Sequence, residues 1–260
     1  MSIDLTQRLN GKCIVIIGGG GIGNELALRY ASEGASVILA DLNKETAEKG
    51  AASLPSGTRG RIIAAQCDGS NEESVNATVA LATQHFGGLD GLHANFAAFL
   101  DGASSEGAGE LPLSMFDTMS AVNTRGFLLA TRAALPALVA RGGGSILYTS
   151  SGAAYQGEPV RPYYAMTKAA GHALMRHVAA RYGADGVRAN TIAPGLIMHE
   201  ELRKHISTEF AEQAREHSAY KRRLGEPLDI AAMCALLMSD EGAYVTGQVI
   251  SIDGGTTMRG

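Results

Sequence analysis

Residues 13–24 read CIVIIGGGGIGN, and this stretch decides the fold. Cys13–Ile17 is apolar at every position, as in a strand covered on both faces. It runs straight into Gly18, Gly19, Gly20, Gly21, Ile22 and Gly23, and residues 22–33 follow with helical spacing. Gly18-x-Gly20-x-x-Gly23 between a strand and a helix fits the dinucleotide fingerprint. The glycines permit positive φ and close backbone approach, and the helix N-terminus offers free N–H groups to a pyrophosphate.

Such a turn expects an acidic residue at the end of the next strand. Asp41 stands there, eighteen positions past Gly23 and followed by Leu42. Its carboxylate can accept both hydroxyls of an adenosine ribose. A 2′-phosphate in that place would meet a like charge at about 4 Å, at a cost of about 1–4 kcal/mol. NAD is therefore expected to be preferred over NADP by about ten- to a thousand-fold.

Short apolar runs rich in Val and Ile recur at Cys13–Ile17 and at residues 37–40, 62–65, 88–96, 145–149, 187–192 and 248–252. Helical spacing lies between them, over residues 22–33, 72–86, 113–140, 164–182 and 228–238. This alternation predicts an α/β fold. It is a Rossmann-type, doubly wound parallel sheet of about seven strands, with right-handed crossovers and helices on both faces. No linker or repeat divides residues 1–260, so a single domain is expected.

The composition, 45% hydrophobic and 18% charged over 260 residues, excludes a disordered chain. A net charge of −4 and a pI of about 6.0 argue against nucleic acid and anionic membrane as partners. No apolar run reaches the ~20 residues of a membrane span, and no secretory leader pattern shows. Cys13, Cys67 and Cys234 are widely spaced and are expected to be buried thiols of a cytoplasmic protein. The seven histidines show no metal-ligand spacing, so no metal is expected. His172 and His177 are read as surface residues.

Tyr164-Ala-Met-Thr-Lys168 places two functional side chains on one helix face, about 5–6 Å apart at Cβ. A phenol of pKa ~10 is a poor base at neutral pH, and a nearby ammonium stabilises the phenolate. Bringing it to ~7 takes about 4 kcal/mol. One group can then serve as base in oxidation and acid in reduction. Ser150 and Ser151 close the run at 145–149. Ser151 precedes Tyr164 by thirteen positions, across a loop holding Gly157, Pro159 and Pro162. Its hydroxyl can reach a substrate oxygen beside the phenol.

With these residues the chain resembles the classical short-chain dehydrogenase/reductase family over essentially its full length. The shared features are the glycine turn, Asp41, Asp68, Asn95, Asn123, the Ser151-Tyr164-Lys168 set, Pro194-Gly195 and Asp253-Gly254-Gly255. The resemblance implies an NAD-dependent interconversion of a secondary alcohol and a ketone by hydride transfer. Ser151 would polarise the substrate oxygen and Tyr164 transfer the proton. Lys168 would lower the tyrosine pKa and hold the nicotinamide ribose, and Asn123 would support a water-mediated proton relay to it. Asp68 and Gly69, with Cys67 before them, would flank the adenine. Asn95, Phe96 and Ala97 would pass under the adenosine ribose. Pro194, Gly195 and Ile197 would present backbone groups to the carboxamide. A homotetramer or homodimer is implied, built on the two long helices and the C-terminal strand. Two other readings stand beside this one. A 3-oxoacyl-carrier-protein reductase-like NADPH enzyme would want a basic residue near Asp41, where Lys44 is the first. A non-catalytic cofactor-sensing protein would need no turnover.

The chain departs from the family at four places. Ile16-Ile17 replaces a usual Thr-Gly, so the turn is read one residue shorter, with Gly18 as its first glycine. The usual Asn-Asn-Ala-Gly reads Ala94-Asn95-Phe96-Ala97, and the bulkier Phe96 and Ala97 are expected to shift this loop. His199 replaces a threonine, to donate to a carboxamide or pyrophosphate or to serve as a plain lid residue. Asp68 is followed by Gly69-Ser70 instead of a larger apolar residue. Substrate contacts are expected from residues 96–111 and 153–161 and from a lid at 199–223. The candidate basic groups there are Arg161, His93, Arg203, Lys204 and His205, and the candidate apolar walls are Phe96, Phe99, Leu100, Ala153, Ala154 and Met198.

Overall fold

The apolar runs become strands β1 (Cys13–Ile17), β2 (Ser36–Asp41), β3 (Arg61–Gln66), β4 (Gly91–Ala94), β5 (Gly144–Thr149), β6 (Val187–Pro194) and β7 (Val249–Ile252). The structure is a computed structural model that describes residues 7–99, 107–157, 159 and 161–258. The strands form one parallel sheet in the order β3-β2-β1-β4-β5-β6-β7. All five side chains of β1 are buried, because helices cover both faces. Burying one such aliphatic side chain contributes roughly 1.5–3 kcal/mol.

The helices are α1 (Gly20–Ser32), α2 (Lys44–Ala52), α3 (Glu72–Phe86), α4 (Leu113–Met119), α5 (Gly126–Ala140), α6 (Pro162–Tyr182), α7 (Glu200–His205), α8 (Thr208–His217) and α9 (Pro227–Met238). On one face Leu26 and Tyr30 of α1, Ala47 of α2 and Cys234 of α9 pack on Ile14, Ile16, Val37 and Leu39. On the other, Val75 of α3, Phe127 of α5 and Met175 of α6 pack on Val15, Ile17, Ile38 and Ile146. Successive strand residues point to opposite faces, so continuous apolar runs are what this architecture requires.

Two elements depart from the sequence reading. Helix α2 lacks a visible apolar stripe, since only Ala47 and Gly50 are buried. It forms because Asn43 caps it, accepting from the Glu45 N–H. The helix read over 113–140 is interrupted, because Ser120–Arg125 winds as a π-helical turn between α4 and α5. Such turns often occur at functional sites, and this one carries Asn123.

The strand order reverses beside β1, and a ligand crevice is expected there, beyond the carboxyl ends of the strands. The glycine turn after β1, the loop after β4, Ser151 after β5 and the segment after β6 all emerge at that edge. The stretch at 199–223 is helical, as α7 and α8. Among the described residues no helix is long and apolar enough to cross a membrane.

Candidate active site

The first glycine of the turn is Gly18, with φ of +103°. A Cβ there would lie 2.6 Å from the Phe96 nitrogen, so no other residue fits. Its N–H donates to the Ala40 carbonyl at 2.8 Å, and its carbonyl accepts from Asn95 Nδ2 at 2.9 Å. Helix α1 then starts at Gly20 with no side chain capping its first N–H groups. The space where a Gly20 side chain would stand is open. An uncapped helix start beside bare backbone suits a diphosphate.

Asp41 ends β2 and is tied to this turn. Its Oδ2 accepts from the Gly19 N–H at 2.8 Å and its Oδ1 from the Asn43 N–H at 3.0 Å. A carboxylate offers about four acceptor sites, so each oxygen keeps one for another donor. Leu42 beside it is 66% exposed, and Lys44 pairs with Glu48 at 3.2 Å. Asp68 folds onto its own turn, its Oδ1 accepting from the Ser70 N–H and hydroxyl. Cys67 is buried, which pushes its thiol pKa up.

Phe96 is no wall of the crevice: its ring turns down into the core. It meets the Phe127 ring edge-on at 5.4 Å and covers Gly69, where a Cβ would approach it to 3.0 Å. Two departures from the family pattern therefore compensate one another. The large ring at 96 fills the volume that the missing side chain at 69 leaves.

Ser151 follows β5 in extended conformation, and its Oγ accepts from the Ala153 N–H at 3.2 Å. Tyr164 lies in the first turn of α6 and Lys168 one turn later. Lys168 is 1% exposed. Its Nζ donates to the carbonyls of Thr149 at 2.8 Å and Phe96 at 3.4 Å, and lies 5.8 Å from the centre of the Tyr164 ring. Burial pushes its pKa down to about 7. Tyr164 packs edge-on against Phe99 at 5.3 Å, and the Arg161 guanidinium covers the same Phe99 ring. Asn123 is fully buried. It accepts from the Ala98 N–H at 2.7 Å, and its amide donates to the Ala98 carbonyl at 3.2 Å and to Thr167 Oγ1 at 3.0 Å. It thus ties the loop after β4 to the residue beside Lys168.

The surface reading of His172 is corrected. It is buried, and its Nε2 lies 2.7 Å from Ser150 Oγ, next to Ser151. Its position one helical turn past Lys168 is the sequence signal that places it on the inward face. His177 is exposed.

A cavity of about 1000 Å³ opens beside Ser151. Ala153, Leu196, Leu202, Ile206, Phe210 and Ala214 give it apolar walls, so α7 and α8 close one side. Apolar residues recur at every fourth position, 202, 206, 210 and 214, a pattern the sequence reading did not use; Leu202 lies on α7, Phe210 and Ala214 on α8, and Ile206 in the extended break between them. Arg161, His205 and His217 also line the cavity. The other candidate basic groups are engaged elsewhere. His93 is buried within the sheet, Arg203 bonds the Met198 carbonyl and Glu226, and Lys204 pairs with Glu200 and Glu201. Leu100 and residues 101–106 lie outside the described residues, and Met198 is buried.

His199 caps α7, accepting from the Leu202 N–H, and a side chain at Gly21 would strike its ring. The ring therefore rests on the first turn of α1, and burial lowers its pKa. Pro194 ends β6, the Gly195 N–H donates to the Ile252 carbonyl at 3.1 Å, and Ile197 bridges to Gly225. A Cβ at Gly195 would lie 2.9 Å from Asp253 Cα, which accounts for the glycine after Pro194. Among the described residues no group of three His, Cys, Asp or Glu could hold a metal ion.

Comparison with known proteins places this geometry. Residues 17–257 match the protein family described as enoyl-(acyl carrier protein) reductase. A probable short-chain type dehydrogenase/reductase of Bradyrhizobium diazoefficiens is 38% identical, over 95% of this chain and 88% of its own. The 7alpha-hydroxysteroid dehydrogenase of Escherichia coli is 32% identical over 95% of both chains. A solved 7alpha-hydroxysteroid dehydrogenase, complexed with NADH and 7-oxo glycochenodeoxycholic acid, superposes with a TM-score of 0.88 at 31% identity, covering 98% of each chain. On these matches and on the seven-stranded sheet, the chain belongs to the short-chain dehydrogenase/reductase family of oxidoreductases.

Proposed function

We propose that this protein is an NAD-dependent oxidoreductase that interconverts a secondary alcohol and a ketone, with Tyr164 as its acid/base group. The observation that carries this reading is the buried Lys168 ammonium beneath Tyr164, cradled by the Thr149 and Phe96 carbonyls. When Tyr164 gives up its proton, phenolate and ammonium stabilise each other, so the two titrate as a pair. Ser151, at the end of β5, donates to the substrate oxygen. Asn123 holds Thr167 beside Lys168 and so fixes the inner end of the proton relay.

The uncapped start of α1, the open space at Gly20 and the spare acceptor sites of Asp41 fit a dinucleotide. Gly18, Gly20, Gly21, Ile22 and Gly23 would hold its pyrophosphate, and Asp41 its adenosine ribose. Leu42, Cys67, Asp68 and Gly69 would flank the adenine, and the backbone of Asn95, Phe96 and Ala97 would support the ribose. Tyr164 and Lys168 would hold the nicotinamide ribose, and Pro194, Gly195, Ile197 and His199 the carboxamide end. The bound nicotinamide supplies the hydride acceptor in oxidation and the donor in reduction. The Asp41 charge favours NAD over NADP.

The apolar cavity walls support a cyclic or chain-like alcohol, and the name of the Escherichia coli relative supports an alicyclic one. The helical segment at 199–223 is the substrate lid. We assign the protein to the cytoplasm as a homotetramer or homodimer. The exposed Leu128 on α5, with Ala170 and Leu174 of α6 beside the same depression, would lie in the contact between copies.

Tyr164→Phe tests the proposal. With a panel of cyclic ketones and NADH, turnover should fall by about a hundredfold or more, while NADH binds within about threefold of wild type. Near-normal turnover would sink the role of Tyr164.

A further inference from the structure

We infer that His93, acting through Thr149 and Asn95, is a positioning residue that locks the glycine turn and the carbonyl beneath Lys168 into one register. Its functional consequence rests on the dinucleotide reading above; the hydrogen-bond chain does not.

The chain can be followed from an end that has no choice. The Gly18 carbonyl can only accept, so the Asn95 amide turns its Nδ2 toward it, at 2.9 Å. Asn95 Oδ1 then faces Thr149 Oγ1 at 2.8 Å, and Thr149 must donate to it. The Thr149 hydroxyl has spent its one proton, so it accepts from His93 Nε2 at 3.0 Å. His93 therefore carries its proton on Nε2. Its bare Nδ1 accepts from the Tyr30 hydroxyl at 3.0 Å. His93 is fully buried, and burial holds its pKa down to about 3, so the ring stays neutral. Every proton in the row points the same way, from Tyr30 on α1 through the sheet to the turn.

Thr149 is where this chain meets the catalytic helix, because its own carbonyl accepts from Lys168 Nζ at 2.8 Å. The opposite tautomer of His93 would draw the Thr149 proton toward the imidazole. Two bare oxygens would then face each other at Thr149 and Asn95, and the Asn95 grip on Gly18 would be lost. The Nε2-protonated imidazole is thus the one tautomer that sustains a row ending where a pyrophosphate is read.

The test has two arms. Nitrogen-15 NMR of histidine-labelled, cofactor-free protein reads the tautomer directly. The expected signal is a neutral, Nε2-protonated ring, unchanged from about pH 5 to about pH 8. An Nδ1-protonated ring, or one that titrates in that range, overturns the inference. The second arm is NADH binding by fluorescence titration. His93→Leu removes both bonds and should weaken NADH about tenfold, the effect of one lost buried hydrogen bond. His93→Gln offers an acceptor to Tyr30 and a donor to Thr149, and should stay within about threefold of wild type. Thr149→Val keeps the side-chain shape and should match His93→Leu, so it carries the test if the leucine variant does not fold. A folded His93→Leu that binds NADH like wild type, or a glutamine variant no better than leucine, overturns the positioning role. A wild type that binds no NADH overturns the cofactor reading instead, and the tautomer signal separates the two failures.

Discussion

Replacing Lys168 with methionine should change how stability depends on pH, and the size of the change follows from the burial of the ammonium. Its proton affinity falls from the ordinary 10.5 to about 7. At about 1.36 kcal/mol per tenfold change, that is about 5 kcal/mol of lost solvation not restored by its two carbonyl partners. Between those two values the unfolded chain binds more protons than the folded protein, so stability rises with pH there. The penalty is about 4 kcal/mol at pH 7 and about 2 kcal/mol at pH 9. Wild type should therefore gain about 2 kcal/mol over that interval through this one group, or about 4–8 °C in Tm. Lys168→Met should lack the gain. The absolute difference at one pH mixes this penalty with the loss of bonds to Thr149 and Phe96, each worth about 1 kcal/mol. The difference in slope does not, since it reports only the titration of Lys168 and of the Tyr164 coupled to it, and titrations of the buried thiols cancel between the two proteins. Urea midpoints or thermal scans of both proteins from pH 7 to pH 9 measure it. Parallel curves would refute the claim that the lysine is held against its solvation.

Asp41→Asn keeps an acceptor for the Gly19 N–H but removes the charge, so the preference for NADH over NADPH should shrink by about tenfold. An unchanged ratio of dissociation constants would mean that Asp41 does not reach the ribose. Phe96→Ala should cost about 3 kcal/mol in urea unfolding through the cavity left beside Phe127. Gly69→Val should also destabilise, because its Cβ meets the Phe96 ring at 3.0 Å. If the two positions compensate, the double variant should be more stable than the sum of the single effects by about 1 kcal/mol, and strict additivity would refute the pairing.

The architecture was readable because a strand covered on both faces must be apolar at successive positions, and Cys13–Ile17 meets that demand in full. Helix α2 was not, since an Ala/Gly contact face leaves no stripe for periodicity to find. The glycine turn and the Tyr164–Lys168 face follow from local spacing alone. The partnerships of Phe96 with Gly69, His172 with Ser150 and His93 with Thr149 do not, because each joins residues distant in sequence. The place of His172 one helical turn past Lys168 marks it as inward, whereas only the packing shows the partners of His93. The cavity wall was half visible: the charged segment after β6 was expected beside the crevice, but the side that lines the cavity is the apolar row at 202, 206, 210 and 214.

The central claim is that the glycine turn and Asp41 hold NAD beside Tyr164 and Lys168. Side-by-side fluorescence titration of the purified protein with NADH and NADPH tests it most directly. Saturable NADH binding is predicted, with NADPH weaker by about ten- to a thousand-fold. Failure to bind either dinucleotide, or tighter binding of NADPH, would contradict it.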